Sequence, residues 1–149
     1  SPDQISQLLQ LANGAPLAAI DLAQAPWYSK RALWLTTWQA LRSGKRSAIA
    51  ASDYWQKQLD ITDFIKLSEM MLVDIRRVYM GLQSRQKDID LLAVVNPYLP
   101  DNSLLSDNLI SDNALAMIEQ MLQQTKISLQ QNVQEKFAYD KLLQQLTQL

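Results

Sequence analysis

The sequence predicts an all-α protein, a compact antiparallel bundle of about seven helices. Three observations carry that expectation. Gly occurs only three times, at Gly14, Gly44 and Gly81, while Leu, Ala and Gln are abundant. Ala, Leu and Gln are good helix formers, and Ala is depleted in strands. Apolar residues recur at spacings of three and four, and Gly, Pro and capping residues fall between the periodic runs.

The elements follow from that punctuation. Asp3 is placed to cap a first helix through about Ala12, with Ile5, Leu8, Leu9 and Ala12 on its apolar side. Gly14 ends it, and Pro16 suits the first turn of a second helix through about Gln24. Pro26 opens a third helix, on which Trp27, Trp34, Trp38 and Leu41 fall on one stripe. Gly44 closes it, and a fourth helix is expected from Ser47 to Leu59. The fifth begins at Thr62, ends before Gly81, and is the most buried by pattern. Its Phe64, Ile65, Leu67, Met71, Leu72, Ile75, Val78 and Tyr79 cover nearly half its circumference. Residues 83–110 are less regular, with Pro97 and Pro100 blocking a long helix. Ser111 caps a sixth helix through about Gln131, with Leu115, Ile118, Met121, Leu122 and Leu129 on its apolar face. Asn132 and Glu135 have the spacing of a capping box for a seventh helix that runs to the end.

Composition narrows the chemistry. The chain has 149 residues, 48% of them hydrophobic, which suits one domain with a real core. There is no Cys and no His. Disulfides, thiol chemistry, Ser-His and Cys-His nucleophiles and most zinc sites are thereby excluded. No apolar run approaches the roughly 20 residues that span a bilayer, and no signal-peptide pattern opens the chain. These features fit a cytoplasmic protein with no membrane partner, and no cofactor or metal is expected.

Net charge is −1, so no strong overall attraction to nucleic acid is expected. That sum hides a segregation. Between Asp21 and Asp53 the charges are Lys30, Arg31, Arg42, Lys45 and Arg46, all basic. Between Lys87 and Lys126 they are Asp88, Asp90, Asp101, Asp107, Asp112 and Glu119, all acidic. Such runs make either ordinary solvated faces or complementary surfaces that meet unlike neighbours.

Three motifs invite a chemical reading. Gly44-Lys45 looks like the end of a P-loop, but Gln39 stands where its first glycine belongs and Arg46 replaces the Ser or Thr. Without those glycine turns the amides cannot cradle a phosphate. Asp60 and Asp63 lie near a helix start, where negative charge helps the helix dipole, and Asp88 and Asp90 lie in a polar connection; neither pair sits inside an apolar run that would raise its pKa. The Trp stripe is flanked by Arg31 and Arg42; at helical spacing it reads as core, whereas exposed it would stack on bases.

Three longer segments carry a resemblance. They are QLLQLANGAPLAAIDLA (Gln7 to Ala23), LSEMMLVDIRRVYMGL (Leu67 to Leu82) with VVNP (Val94 to Pro97), and LISDNALAMIEQMLQQTKISLQQNVQEKFAYDKLLQQL (Leu109 to Leu146). In this order they resemble bacterial clamp-loader subunits of DNA polymerase III, the delta-prime type in particular. The first is similar to the final helix pair of the AAA+ lid domain, and the others to the central and last helices of the C-terminal collar. The resemblance implies a lid-derived pair over residues 1–24 and a collar domain over 25–149, excised from a longer subunit. It implies a non-catalytic oligomerisation role, with ATP-binding subunits of the gamma/tau type and the delta-type subunit as partners. The ring so formed loads the sliding clamp onto primed DNA; contact of this domain with DNA is left open. ATP-binding relatives carry an Arg in a Gly-Ser-x-Arg-x-Ala turn. Here Gly14 to Ala19 reads GAPLAA, and Leu17 cannot pair with a phosphate.

The partner surface is expected on the last helix. At about 100° per residue, Tyr139, Leu142, Leu143, Leu146 and Leu149 gather on one face, the natural core side. Val133 and Phe137 lie opposite, among Asp140, Lys141, Gln144 and Gln148. Val133, Phe137, Lys141 and Gln144 are therefore the candidate interface, the alternative being that Val133 and Phe137 tuck under residues 97–100. A small helical adaptor binding one peptide or helix is the competing function, and a carboxylate-based enzyme lacks any supporting constellation.

Overall fold

A computed structural model describes residues 1–99, 109–132 and 134–149. Its described residues form eight α-helices and two short 3-10 turns, with no strand. The helices are α1 (Pro2–Leu11), α2 (Pro16–Gln24), α3 (Arg31–Arg42), α4 (Ala48–Gln56), α5 (Ile61–Tyr79), α6 (Leu91–Val95), α7 (Asp112–Leu129) and α8 (Glu135–Thr147). The extra helix relative to the sequence expectation is the five-residue α6, which Asp90 caps by accepting from the Ala93 amide at 3.1 Å.

Capping side chains set most of the starts. Ser47, Asp60 and Ser111 accept from the amides of Ala50, Asp63 and Ala114. The first helix starts earlier than expected: Ser1, not Asp3, is its cap, in a box with Gln4. Trp27 lies outside α3, because a 3-10 turn over Tyr28–Lys30 intervenes after Pro26. Asn132 and Glu135 do not form a capping box. Asn132 takes a left-handed conformation (φ 62°) after α7, which Asn tolerates better than most residues. Gln134 precedes α8 without a side-chain cap, and the Glu135 carboxylate instead accepts from the Ile61 amide at the start of α5.

The core centres on α5 and α8. Helix α5 buries ten residues, among them Phe64, Leu67, Met71 and Ile75, and packs against α3, α6, α7 and α8. Helix α8 lies across α3, α4, α5 and α7 and buries Ala138, Tyr139, Leu142, Leu143 and Leu146. Between them runs an aromatic chain: Trp55 to Phe64 at 5.2 Å and Phe64 to Tyr139 at 5.0 Å between ring centroids. All four Trp residues are buried, so the stripe is core and offers no ring for base stacking. Two indoles donate inside it, Trp34 to the Ser68 hydroxyl and Trp55 to the Thr37 hydroxyl, each at 3.0 Å. No described helix is long and apolar enough to cross a membrane.

The N-terminal pair is built differently. Helices α1 and α2 pack on each other, with Gln7, Leu11 and Ala19 buried, and none of these belongs to the central apolar cluster. The expected face of α1 is turned: Ile5 is exposed, and Gln7 takes the buried position. A polar network outweighs the apolar stripe there.

Candidate partner-binding surface

Helix α8 presents two faces with different chemistry. On the inner face the Tyr139 hydroxyl donates to the Leu59 carbonyl at 2.5 Å. Burial, followed by the nearby Glu135, Asp60 and Asp63 charges, pushes its phenol pKa far above the ordinary value. On the outer face Phe137, Lys141 and Gln144 are exposed, Phe137 to 57%. At spacings of four and three they form one stripe along the helix.

Phe137 and Lys141 line a shallow groove between α7 and α8, together with Ala138 and with Met121, Gln124, Thr125 and Ser128 of α7. One turn before Met121, Met117 is 54% exposed, extending the apolar strip along α7. The Thr125 hydroxyl is occupied, donating to the Met121 carbonyl at 2.7 Å. Phe137, Met121 and Ala138 give the groove apolar surface, and Gln124, Thr125, Ser128 and Lys141 give it polar groups.

Of the four expected interface residues, the structure brings Phe137 and Lys141 into this groove. Gln144 lies on the same exposed face but does not line it, and Val133 falls outside the described residues. Asp140, expected on this face, instead accepts from the Ser52 hydroxyl of α4 at 2.5 Å. The alternative, with Val133 and Phe137 under residues 97–100, falls partly outside the described residues, since Val133 and Pro100 are not among them. Tyr98 packs on Trp38, with Arg42 over its ring at 4.2 Å.

The remaining motifs are structural. Asp60 and Asp90 are helix caps, and Asp88 pairs with Arg31. The Asp63 pKa is raised by partial desolvation and then by Asp60. Gly44 follows α3 with φ 74°, a left-handed turn that suits glycine. Leu17 is exposed at the start of α2. Among the described residues no three carboxylates gather to hold a metal. The Arg31–Asp88 bridge joins the basic and acidic segments within the chain, so part of the charge segregation is spent internally.

Sequence reasoning missed a buried polar network around Asp74, Gln86, Arg31 and Gln7. A signal for Asp74 was present: it sits three residues after Met71 and four before Val78, on the buried stripe of α5. Arg31 likewise precedes Trp34, Leu35 and Trp38 at helical spacing. Nothing in the pattern marks Gln7 or Gln86.

No protein-family model, curated protein or solved structure matches the chain.

Proposed function

We propose that this chain is a non-catalytic oligomerisation domain, the collar of a cytoplasmic clamp-loader subunit of the delta-prime type. In that role it packs side-on against unlike subunits, of the ATP-binding gamma/tau type and the delta type, in the ring that supports loading of the sliding clamp at primed DNA. The observation that carries the reading is Phe137, a large aromatic held exposed on the face of α8 opposite its buried one. A helix apolar on two sides serves two packing partners, and here the bundle supplies one. The resemblance supplies the identity of the other. Its segments fall on α1–α2, on α5, on α6 with the turn after it, and on α7–α8. Leu17 in place of the nucleotide-sensing Arg fits a subunit that resembles an ATPase without acting as one.

A second reading is favoured by Met121, which lines the groove with Phe137, and by the exposed Met117 one turn earlier on α7. Adaptable Met side chains in a groove suit a module that seats one partner helix or peptide. Capture with the chain as bait separates the two. Retention of the other clamp-loader subunits, weakened about 5- to 150-fold by Phe137→Ala, is the expected result. Failure to retain any clamp-loader subunit removes the collar reading.

A further inference from the structure

Among the described residues, the hydrogen bonds from the α1–α2 pair to the rest of the molecule run through one amide. The Gln7 side-chain oxygen accepts from the backbone N–H of Lys87 at 2.6 Å and of Asp88 at 3.3 Å. Its nitrogen donates to the Tyr28 hydroxyl at 2.9 Å and to Asp88 Oδ1 at 2.8 Å. Every hydrogen-bonding position of the amide is used, which is uncommon for a residue on a two-helix hairpin. Asp88 is gripped in turn by Arg31, through Nη1 to Oδ1 at 3.0 Å and Nη2 to Oδ2 at 2.6 Å. Arg31 lies over the Tyr28 ring at 3.8 Å and donates to Gln86 Oε1 at 3.1 Å. Gln86 reaches Asp74 of α5 at 2.8 Å, and Arg85 at 2.7 Å and the Ser84 hydroxyl at 3.3 Å also donate to that carboxylate. The clasp is thus anchored in the core on one side and ends in a single side chain on the other.

The chain between them is made to bend. Ala25 is extended (ψ 131°) and Pro26 follows, so α2 cannot continue into the 3-10 turn. Leu11 and Ala19 lie outside the central cluster, and among the described residues of this segment Leu22 and Ala25 near the bend pack against it, each partly buried. Among the described residues, the apolar attachment lies at the hinge and the polar attachment runs through Gln7.

We infer that α1–α2 is a detachable arm, hinged at Ala25–Pro26 and latched by Gln7, which opens while α3–α8 stay folded. Local opening of this kind follows where buried apolar contacts are few. Detached, two helices of ten and nine residues are too short to stay fully formed, so opening is visible as lost amide protection.

The test is hydrogen exchange on the 149-residue chain and on Gln7→Ala and Gln7→Glu, read helix by helix as protection factors. In Gln7→Ala the amides of α1 and α2 are expected to lose protection at least about tenfold, with α5 and α8 within about threefold of the parent. Gln7→Glu places a second carboxylate against Asp88 and removes both donors, so the same loss is expected at pH 7. It should shrink at pH 4, where protonation restores a donor. Loss of protection in α5 and α8 in step with α1–α2 would overturn the inference, since the arm would then belong to one cooperative unit. Unchanged protection of α1–α2 in both variants would overturn it equally, because the latch would lie elsewhere.

Discussion

Two regions of this molecule are held by opposite kinds of force. Helices α4, α5, α7 and α8 are joined mainly by ring and aliphatic packing, to which the Arg76–Glu119 and Lys126–Glu69 pairs between α5 and α7 and the Ser52–Asp140 bond between α4 and α8 are added. The α1–α2 arm is joined by hydrogen bonds around Gln7 and the Arg31–Asp88 pair, with little apolar burial beneath them. Apolar burial is non-directional and cumulative, so losing any one large side chain weakens the whole cluster. A polar clasp is directional, and water competes for each of its bonds, so its net contribution is small and its failure is local. The bundle therefore has a body that unfolds as one and an appendage that need not.

The largest effect belongs to the body. Trp55 is fully buried, meets Phe64 and Tyr54, and donates to Thr37. Trp55→Ala should cost about 3–5 kcal/mol of global stability, out of the roughly 5–15 kcal/mol typical of such a domain. Denaturant unfolding followed by far-UV circular dichroism measures it. A cost below about 1 kcal/mol would mean that the aromatic chain is not the centre of the fold.

Tyr139→Phe is a gentler cut in the same place. The ring stays and the bond to the Leu59 carbonyl goes, leaving that acceptor buried. The expected cost is about 1–2 kcal/mol. The parent also carries an alkaline signature. With the folded phenol pKa raised, the folded state holds its proton where the unfolded chain releases it. The associated stability is complete below about pH 10 and declines as pH climbs above it. Melting temperatures measured from pH 8 to 11 should fall more steeply in the parent than in Tyr139→Phe.

Acid acts on the arm instead. The Arg31 hydrogen bonds hold the Asp88 pKa below the ordinary carboxylate value, against partial desolvation, with help from Gln7. A depressed carboxylate stabilises the folded state above its unfolded pKa of about 3.9 and loses that contribution as pH falls through the folded value. The groups facing it are Arg31, Gln7, Tyr28 and the neighbouring Lys87, with Asp3 of α1 across the same recess. Protection of α1–α2 should hold from pH 7 to about 5 and fall below about 4 before that of α5. Asp88 is half exposed, so the effect is small beside the aromatic losses.

The same contrast explains how much of the fold is legible in the sequence. Periodicity reports apolar burial, so α5, α7, α8 and the Trp stripe stood out, and α8 showed its second face through Phe137. The cap at Ser111 was readable because its chemistry is local. The arm was misjudged for the complementary reason. Gln7 is joined to Lys87 and Asp88, eighty residues away, by an amide that leaves no periodic trace. Asn132 and Glu135 had the right spacing for a local box, yet a left-handed backbone and a long-range bond to Ile61 took them apart.

The smallest expected effect on folding is the most informative about function. Phe137 sits on one of the two central helices, and truncating a core aromatic there would cost about 3–5 kcal/mol. It is instead more than half exposed, lining the shallow α7–α8 groove. The transfer term for an exposed ring is largely absent, because water already reaches it in the folded state. Phe137→Ala should therefore change stability by no more than about 0.5 kcal/mol. For a chain of this size that is a shift of roughly 1–2 °C in Tm. Lys141→Ala should do no more, since Lys141 is exposed. A Tm drop of ten degrees would place Phe137 among the body's packing residues and leave α8 without a second face. A silent melt combined with weakened capture of partner subunits would separate the two faces of α8, one folding the chain and the other assembling it.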